Sequence, residues 1–251
     1  MSKRYFIFLS YNGASYCGWQ VQPNGITVQE VIEKGLSILL KEDIAIVGAG
    51  RTDSGVHAKN MVAHVDCNLG STNLDELVFK LNSYLPKDIV IHRIVQVKED
   101  AHARFDAISR TYKYYVTTDK DPFLHQLKYR LYGHLDMDKM NECANILFEY
   151  EDFTSFSKLH TDVKTNNCDI MHAKWEQKGT DYIFTIKANR FLRNMVRSIV
   201  GTLLMAGKNK IGVPEMRKII EAKDRGMAGS SAPGHALFLE EVEYPKEIFE
   251  K

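Results

Sequence analysis

Cysteine is scarce in this sequence, and its few cysteines are scattered. There are four among 251 residues, and no two of them form a Cys-x-x-Cys pair: Cys17, Cys67, Cys143 and Cys168. The nine histidines likewise contain no His-Glu-x-x-His spacing. Structural zinc sites and disulfide frameworks are recognised by such spacings. The sequence therefore predicts neither a bound metal nor a disulfide-stabilised fold.

Long apolar runs are missing as well. No stretch approaches the roughly 20 apolar residues that span a bilayer, and the start of the chain has no apolar signal-peptide core. We therefore expect a cytosolic protein. The net charge is only +1 at pH 7, which is far from the overall basicity typical of nucleic-acid-binding domains. Any surface for a polyanion must be a local basic patch.

The hydrophobic content of 44% is arranged in alternating strand and helix patterns. The first hundred residues predict the order βαββαβ, with capping signals at Thr27 and Asn73 where its two helices begin. The remainder predicts βαββααβ, including a helix from Phe191 to Ala206 and a shorter one that begins near Pro214. Two successive units of this kind indicate an α+β fold of duplicated ferredoxin-like halves, 1–104 and 105–251, around a mostly antiparallel sheet.

The segment from Gly48 to Ala58 lies between two predicted strands and contains three glycines around a charged centre, Arg51-Thr52-Asp53. Glycine permits positive φ angles and the close approach of a ligand to the backbone. By itself the segment favours a tight turn in which Thr52 and Asp53 satisfy nearby backbone amides. It lacks the Gly-Lys-Ser/Thr sequence of a phosphate-binding P-loop.

A family resemblance changes this interpretation. Residues 50–58 read Gly-Arg-Thr-Asp-Ser-Gly-Val-His-Ala and resemble the active-site signature of the tRNA pseudouridine synthase A family, departing from it at Ser54, where alanine is usual. The likeness continues, in order, through five further segments: 11–20, 105–114, 152–156, 189–201 and 228–245. The resemblance implies the pseudouridine synthase fold and an isomerase of transfer RNA.

The resemblance also implies roles for individual residues. Asp53 aligns with the family's catalytic aspartate and Tyr112 with its active-site tyrosine. Arg51 aligns with the arginine beside that aspartate, and Arg197 aligns with an arginine that pairs with the aspartate. Leu237 or Leu239 would complete the pocket. Among strand residues, an aromatic like Tyr112 also fits simple cross-strand packing, and Arg51 also fits an ion pair with Asp53.

The implied reaction converts uridine to pseudouridine in the anticodon stem-loop of tRNA, at positions 38, 39 and 40, and is carried out by a homodimer. It involves no redox change and no cofactor. A carboxylate suits it because it can attack or stabilise an electron-poor sugar carbon. The sequence leaves open whether Asp53 adds to that carbon or whether the sugar passes through a glycal.

Basic residues provide candidate contacts to RNA. Arg190, Arg193 and Arg197 have a spacing that places them on one face of a helix, a pattern that also fits an ordinary solvated face. Further basic residues flank Tyr112, and we expect all of them to contact substrate: Arg104, Arg110 and Lys113. The alternatives to an isomerase are a non-catalytic RNA-binding module and a nucleoside N-glycosidase that uses Asp53.

Overall fold

The computed structural model describes residues 2–70, 72–158 and 165–249. The chain forms two compact units, Met1–Ile108 with Leu239–Lys251, and Ser109–Phe238. This boundary lies close to the expected division at residue 104. Each predicted half is one continuous stretch of sequence, whereas the first unit also includes the C-terminal residues from Leu239 onwards.

The first unit has the predicted order of elements. It contains four strands and two helices before the unit boundary: β1 (Lys3–Tyr11), α1 (Val28–Leu40), β2 (Ile46–Gly48), β3 (His57–Cys67), α2 (Leu74–Tyr84) and β4 (Ile89–Gln96). β1 pairs antiparallel with both β3 and β4, and β2 pairs antiparallel with β3. β9 (Leu237–Glu243) is the neighbour of β3, so the strand order is β4-β1-β3-β9.

The two helices of this unit begin where the capping signals predicted. The Thr27 side chain accepts a hydrogen bond from the Glu30 amide, and the Asn73 side chain accepts from the Asp75 and Glu76 amides. These oxygens satisfy amides that a helix start leaves without intrahelical partners. Each helix buries one apolar stripe, in α1 through Val28, Ile32 and Leu36, and in α2 through Leu77 and Leu81.

Among its described residues, the second unit contains three α-helices and four paired strands. Its elements are β5 (Ser109–Thr117), β6 (Tyr129–Arg130), α3 (Met137–Asn145), β7 (Ile170–Lys178), β8 (Asp181–Ala188), α4 (Met195–Gly207) and α5 (Val213–Glu221). β8 lies between β5 and β7 and is antiparallel to both. The short strand β6 pairs parallel with β5 and was not predicted. The mixed helix and strand content and the mostly antiparallel pairing agree with the expected fold class, whereas the ferredoxin-like duplication stays a prediction.

The start of α4 differs from the prediction. The helix begins at Met195 and not at Phe191, because Asn194 adopts a left-handed conformation with φ 66°. Asparagine tolerates this region better than most residues, but a right-handed helix cannot run through it. Arg190 and Arg193 therefore precede the helix, and the prediction that they share a helical stripe with Arg197 was wrong.

Candidate active site

Asp53 lies at the start of a tight turn in the loop between β2 and β3. Its carbonyl oxygen accepts a hydrogen bond of 3.2 Å from the Val56 amide, and Gly55 within the turn has φ 75°. This is the turn that the glycine pattern predicted. Asp53 is half-buried.

The segment that follows β1 forms the other wall of this loop. The Tyr16 carbonyl oxygen accepts hydrogen bonds from the Gly55 amide at 3.3 Å and from the Ser54 hydroxyl at 3.2 Å. The Trp19 amide donates to the Thr52 carbonyl oxygen at 3.2 Å. Residues on both sides of Asp53 are thus bound through their backbones to a segment well upstream in the sequence.

Two glycines make this contact possible. A Cβ atom at Gly13 would lie 2.0 Å from the Val56 carbonyl oxygen, and one at Gly18 would lie 2.4 Å from the Thr52 carbonyl oxygen. Gly18 also has φ 92°, a conformation that L side chains rarely adopt. The backbones of the upstream segment and the loop therefore touch directly, with no side chain between them.

Side chains extend the same contact into the interior. The Tyr11 and Thr52 hydroxyls share a buried hydrogen bond of 2.8 Å, so Thr52 does not cap a local amide as the turn interpretation suggested. The Trp19 ring packs on the Tyr11 ring at a centroid distance of 6.0 Å and fills the space that a Cβ atom at Gly48 would need. Trp19 is 2% exposed and therefore part of the core.

His57 closes the turn at the first residue of β3. It is buried, and its Nδ1 accepts a hydrogen bond of 2.9 Å from the Gly13 amide. An imidazole nitrogen that accepts a hydrogen bond carries no proton. The geometry therefore requires the tautomer of His57 that is protonated at Nε2. His57 acts on the loop by holding the Gly13 backbone in place.

Arg51 precedes this braced region and is exposed. Among the residues that the structure describes, its guanidinium forms no ion pair with Asp53. The ion-pair alternative considered from the sequence is therefore not realised. Next to it, Gly50 faces open space, since a Cβ atom built there meets nothing within 4 Å.

In the second unit, Tyr112 lies on the buried face of β5. Along this strand Tyr112, Tyr114 and Val116 are buried, and the residues between them are half-buried, as the alternation of strand side chains requires. The Tyr112 ring packs edge-to-face against Phe191 at a centroid distance of 5.3 Å. Tyr112 is 9% exposed, so little of this residue is accessible to solvent.

Arg197 lies in the first turn of α4 and is tied to the segment after α5. Its Nε donates to the Ala232 carbonyl oxygen at 2.7 Å, and the Ala232 amide donates back to the Arg197 carbonyl oxygen at 2.9 Å. The Tyr114 hydroxyl donates to the Pro233 carbonyl oxygen at 2.9 Å. Burial raises the pKa of Tyr114 well above its usual range, and the positive charge of Arg197 partly opposes that rise.

The structure distributes the other predicted basic residues over different surfaces. Arg110 shares the Tyr112 face of β5 and donates to the Asn189 carbonyl oxygen at 2.7 Å, whereas Lys113 lies on the opposite face. Arg190 Nη1 donates to the Thr165 carbonyl oxygen at 3.4 Å, and Arg193 is exposed. Arg104 is exposed in the first unit, beside Phe105.

The remaining predicted residues are apolar and buried. Leu237 is 5% exposed and Leu239 is 2% exposed, on the same face of β9.

Within the ranges that the structure describes, no group of three or more histidine, cysteine, aspartate and glutamate side chains could hold a metal ion. No helix in those ranges is long and apolar enough to cross a membrane.

Comparison with known proteins identifies the family. The family model described as tRNA pseudouridine synthase matches residues 7–106 and 150–245, a span that includes the Asp53 loop and Arg197. The chain belongs to this family. It is therefore an isomerase. Residues 107–149, which contain Tyr112, lie between the two matched ranges.

Individual relatives cover the whole chain, including residues 107–149. The chain is 61% identical to tRNA pseudouridine synthase A of Parabacteroides distasonis, over 98% of both chains. It is 59% identical to tRNA pseudouridine synthase A of Bacteroides fragilis, over 99% of both chains. The enzyme of the same name from Bacillus subtilis is 40% identical over 94% of this chain and 97% of its own. The family resemblance inferred from the sequence is confirmed.

The sequence did not predict the residues that brace the loop. Gly13, Gly18, Tyr11 and His57 position the backbone on either side of Asp53. A signal existed, because Tyr11 to Gln20 is one of the segments that resemble the family. No local pattern in this segment indicates which distant part of the backbone it will contact.

Proposed function

We propose that this chain isomerises uridine to pseudouridine in the anticodon stem-loop of transfer RNA, with Asp53 as the nucleophile. Membership of the tRNA pseudouridine synthase family supports the reaction and the RNA class. The observation that carries the assignment to Asp53 is its place in a turn whose backbone is held on both sides. A catalytic carboxylate needs such a rigid support to stay in its productive geometry.

The reaction breaks the bond from uracil N1 to the ribose C1′ and forms a bond from uracil C5 to the same carbon. The proton on C5 leaves and N1 gains a proton, so the product is an isomer of the substrate. Asp53 stabilises the electron-poor C1′ while the base turns, either by a covalent bond to it or by assisting loss of a proton to give a glycal. No oxidant, reductant or metal takes part in either route.

Tyr112 and Arg197 take part through different chemistry. Tyr112 offers an aromatic ring to the uracil and a hydroxyl that assists removal of the C5 proton. Arg197 supplies the positive charge that keeps a desolvated carboxylate ionised. Both roles rest on the match to the family's residues, and Leu237 or Leu239 provides an apolar wall in the same scheme.

The target base must leave its stack before it can react, and the cost of unstacking is a few kcal/mol. Arg51 is suited to occupy the vacated space because it is exposed and forms no ion pair with Asp53. Phosphates along the RNA are contacted by a set of basic residues: Arg104, Arg110, Lys113, Arg190 and Arg193. A homodimer in the cytoplasm would present two copies of this set to one tRNA.

The experiment follows tritium release from unmodified tRNA labelled at uridine C5, together with free uracil. Wild-type protein should release tritium without free uracil, and Asp53→Ala and Asp53→Asn should lower the rate at least a thousandfold, in the range seen when a catalytic nucleophile is removed. Asp43→Asn is the matched control, since Asp43 is an exposed carboxylate outside the loop and its loss should change nothing.

Three outcomes would contradict the proposal. Full turnover by Asp53→Ala would remove Asp53 from the chemistry. Free uracil in place of retained base would indicate an N-glycosidase. Binding of tRNA with no tritium release by the wild type would indicate an RNA-binding module. Thermal unfolding of each variant separates a loss of chemistry from a loss of folding.

A further inference from the structure

Phe105 is an exposed aromatic residue in the first unit, on the segment that follows β4. Its exposed fraction is 73%. A single exposed phenylalanine is common on protein surfaces and by itself indicates nothing. Phe105 differs from such a residue in how firmly its ring and its backbone are held.

The Phe105 ring packs against the His102 imidazole, which in turn contacts the His64 imidazole edge-to-face. Its centroid is 4.2 Å from that of His102, with 33° between the planes, and the His102 centroid is 4.6 Å from that of His64. His64 is buried at 6% exposure. The Phe105 ring therefore rests on a histidine that itself contacts a buried histidine, while the residue remains largely open to solvent.

The same two histidines hold the backbone that carries the ring. His64 Nδ1 accepts a hydrogen bond of 3.1 Å from the Ala103 amide. His102 Nδ1 accepts from the next two amides, those of Arg104 at 3.1 Å and Phe105 at 3.3 Å. Three successive backbone amides thus donate hydrogen bonds to imidazole nitrogens. This backbone cannot turn the ring away without breaking hydrogen bonds.

Further bonds close the segment. The His102 amide donates to the Asp106 carboxylate at 2.7 Å, and the Asp106 amide donates to the His102 carbonyl oxygen at 3.0 Å. The Tyr244 hydroxyl donates to the Ala103 carbonyl oxygen at 2.6 Å. Burial lowers the pKa of both His64 and His102, which favours the uncharged imidazoles that can accept through Nδ1.

A positive charge lies beside this ring. The Arg104 guanidinium carbon is 5.6 Å from the centroid of the Phe105 ring, within the range of a cation–π interaction. Flat aromatic rings with adjacent cations are how proteins bind unpaired nucleotides, because the base stacks on the ring and the phosphate pairs with the cation. An apolar contact between two copies of the chain would instead have to desolvate the arginine.

We propose that Phe105 is a stacking platform for an unpaired base of the RNA substrate, with Arg104 contacting the adjacent phosphate. The inference rests on the proposed function, since it takes RNA as the ligand, and it adds a binding subsite outside the Asp53 loop. The two histidines preset the platform, so little conformational freedom is lost when a base binds.

The test measures binding of unmodified tRNA transcript to the full chain, and the KM and kcat of tritium release. Phe105→Ala should weaken binding roughly 5- to 150-fold, the range found when a base loses an aromatic partner. KM should rise to a similar extent while kcat stays within about threefold. Phe105→Trp should bind like the wild type, and Phe105→Leu, which keeps bulk but not a flat ring, should bind like Phe105→Ala.

Phe79 provides the matched control. It has the same exposed fraction of 73%, lies on α2 in the same unit, and among the described residues no aromatic or cationic side chain packs on its ring. Phe79→Ala should leave binding unchanged. If Phe105→Ala binds as tightly as Phe79→Ala, or if Phe105→Leu binds as tightly as Phe105→Trp, the platform does not exist.

Two measurements separate this proposal from its neighbours. If light scattering shows that Phe105→Ala splits an oligomer while the separated chains bind tRNA as before, the residue is a contact between copies and the proposal is overturned. If the wild type releases no tritium but Phe105→Ala still weakens RNA binding, the proposed function fails and the platform stands. Unchanged binding in a wild-type background that does release tritium overturns the platform alone.

Discussion

The hydroxyl groups of Tyr11 and Thr52 share a buried hydrogen bond of 2.8 Å. Thr52 is the residue immediately before Asp53, and its own carbonyl oxygen accepts from the Trp19 amide. The hydroxyl of Thr52 is therefore bonded to the last residue of β1, and its carbonyl oxygen to the segment that follows β1. Because Thr52 is fixed by these two hydrogen bonds, it also fixes the backbone of the adjacent Asp53, the proposed nucleophile.

Loss of this bond should affect turnover more than binding. Tyr11→Phe and Thr52→Val each remove one partner, and each should lower the free energy of unfolding by about 1–3 kcal/mol, since the remaining buried hydroxyl loses this hydrogen bond. The kcat of tritium release should fall about tenfold while KM changes little, because the groups that contact RNA remain. Denaturant unfolding and steady-state kinetics measure the two effects.

The double variant tests the bond itself. Because both single changes break the same interaction, the double variant should cost less than the sum of the two. Additive costs would mean that the two hydroxyls act separately, and an unchanged kcat in both single variants would mean that their bond does not position Asp53.

The left-handed Asn194 should determine the start of α4. Asn194→Ala should lower the free energy of unfolding by about 1–3 kcal/mol, because alanine is strained at φ 66° and the hydrogen bond from Asn194 Nδ2 to the Ser231 hydroxyl is lost. Asn194→Gly loses the same bond but accepts the angle, so it should cost less. Denaturant unfolding gives both values. Equal stabilities would show that the backbone angle carries no cost.

Stability should fall as the pH falls from about 6.5 towards 4, and His64 should contribute to that fall. Burial, with the charges of Arg4 and His102, lowers the pKa of His64 from 6.5 to about 4, against the opposing effect of Asp66 and Asp106. Between these values the unfolded chain binds the proton and the folded chain does not, so protonation favours unfolding. Above about pH 6.5 the contribution is constant.

Urea unfolding at several pH values between 7 and 4 measures this dependence. His64→Gln keeps a hydrogen-bond acceptor but cannot titrate, so its free energy of unfolding should change less steeply with pH than that of the wild type. His172→Gln, at an exposed position on β7, serves as the control and should keep the wild-type slope. Identical slopes for His64→Gln and the wild type would contradict the assignment.

Local sequence signals predicted the fold well where the structure depends on local chemistry. The caps at Thr27 and Asn73, the apolar stripes of α1 and α2, and the order of strands and helices all follow from neighbouring residues. The start of α4 was missed because Phe191 to Ala206 keeps an apolar pattern that runs straight through Asn194. The pattern records burial, and it does not record one residue with a positive φ angle.

The candidate site was predictable in its chemistry and unpredictable in its supports. Residue types at short spacing indicated Asp53 and Arg51, but the family resemblance was needed to prefer catalysis over an ordinary turn. The contacts of Tyr11 with Thr52 and of His57 with Gly13 join residues far apart in the sequence. Such pairings depend on the register of β1 and β3, which residue periodicity alone does not specify.

The direct contact of Gly13 and Gly18 with the loop backbone has a consequence for protein engineering. Transplanting residues 48–58 into another scaffold would transfer the Asp53 carboxylate without the backbone contacts that hold its loop, because residues 11–19 supply those contacts. A graft that keeps the shape of the loop therefore has to include both segments, 11–19 and 48–58, with their backbones in direct contact at Gly13 and Gly18.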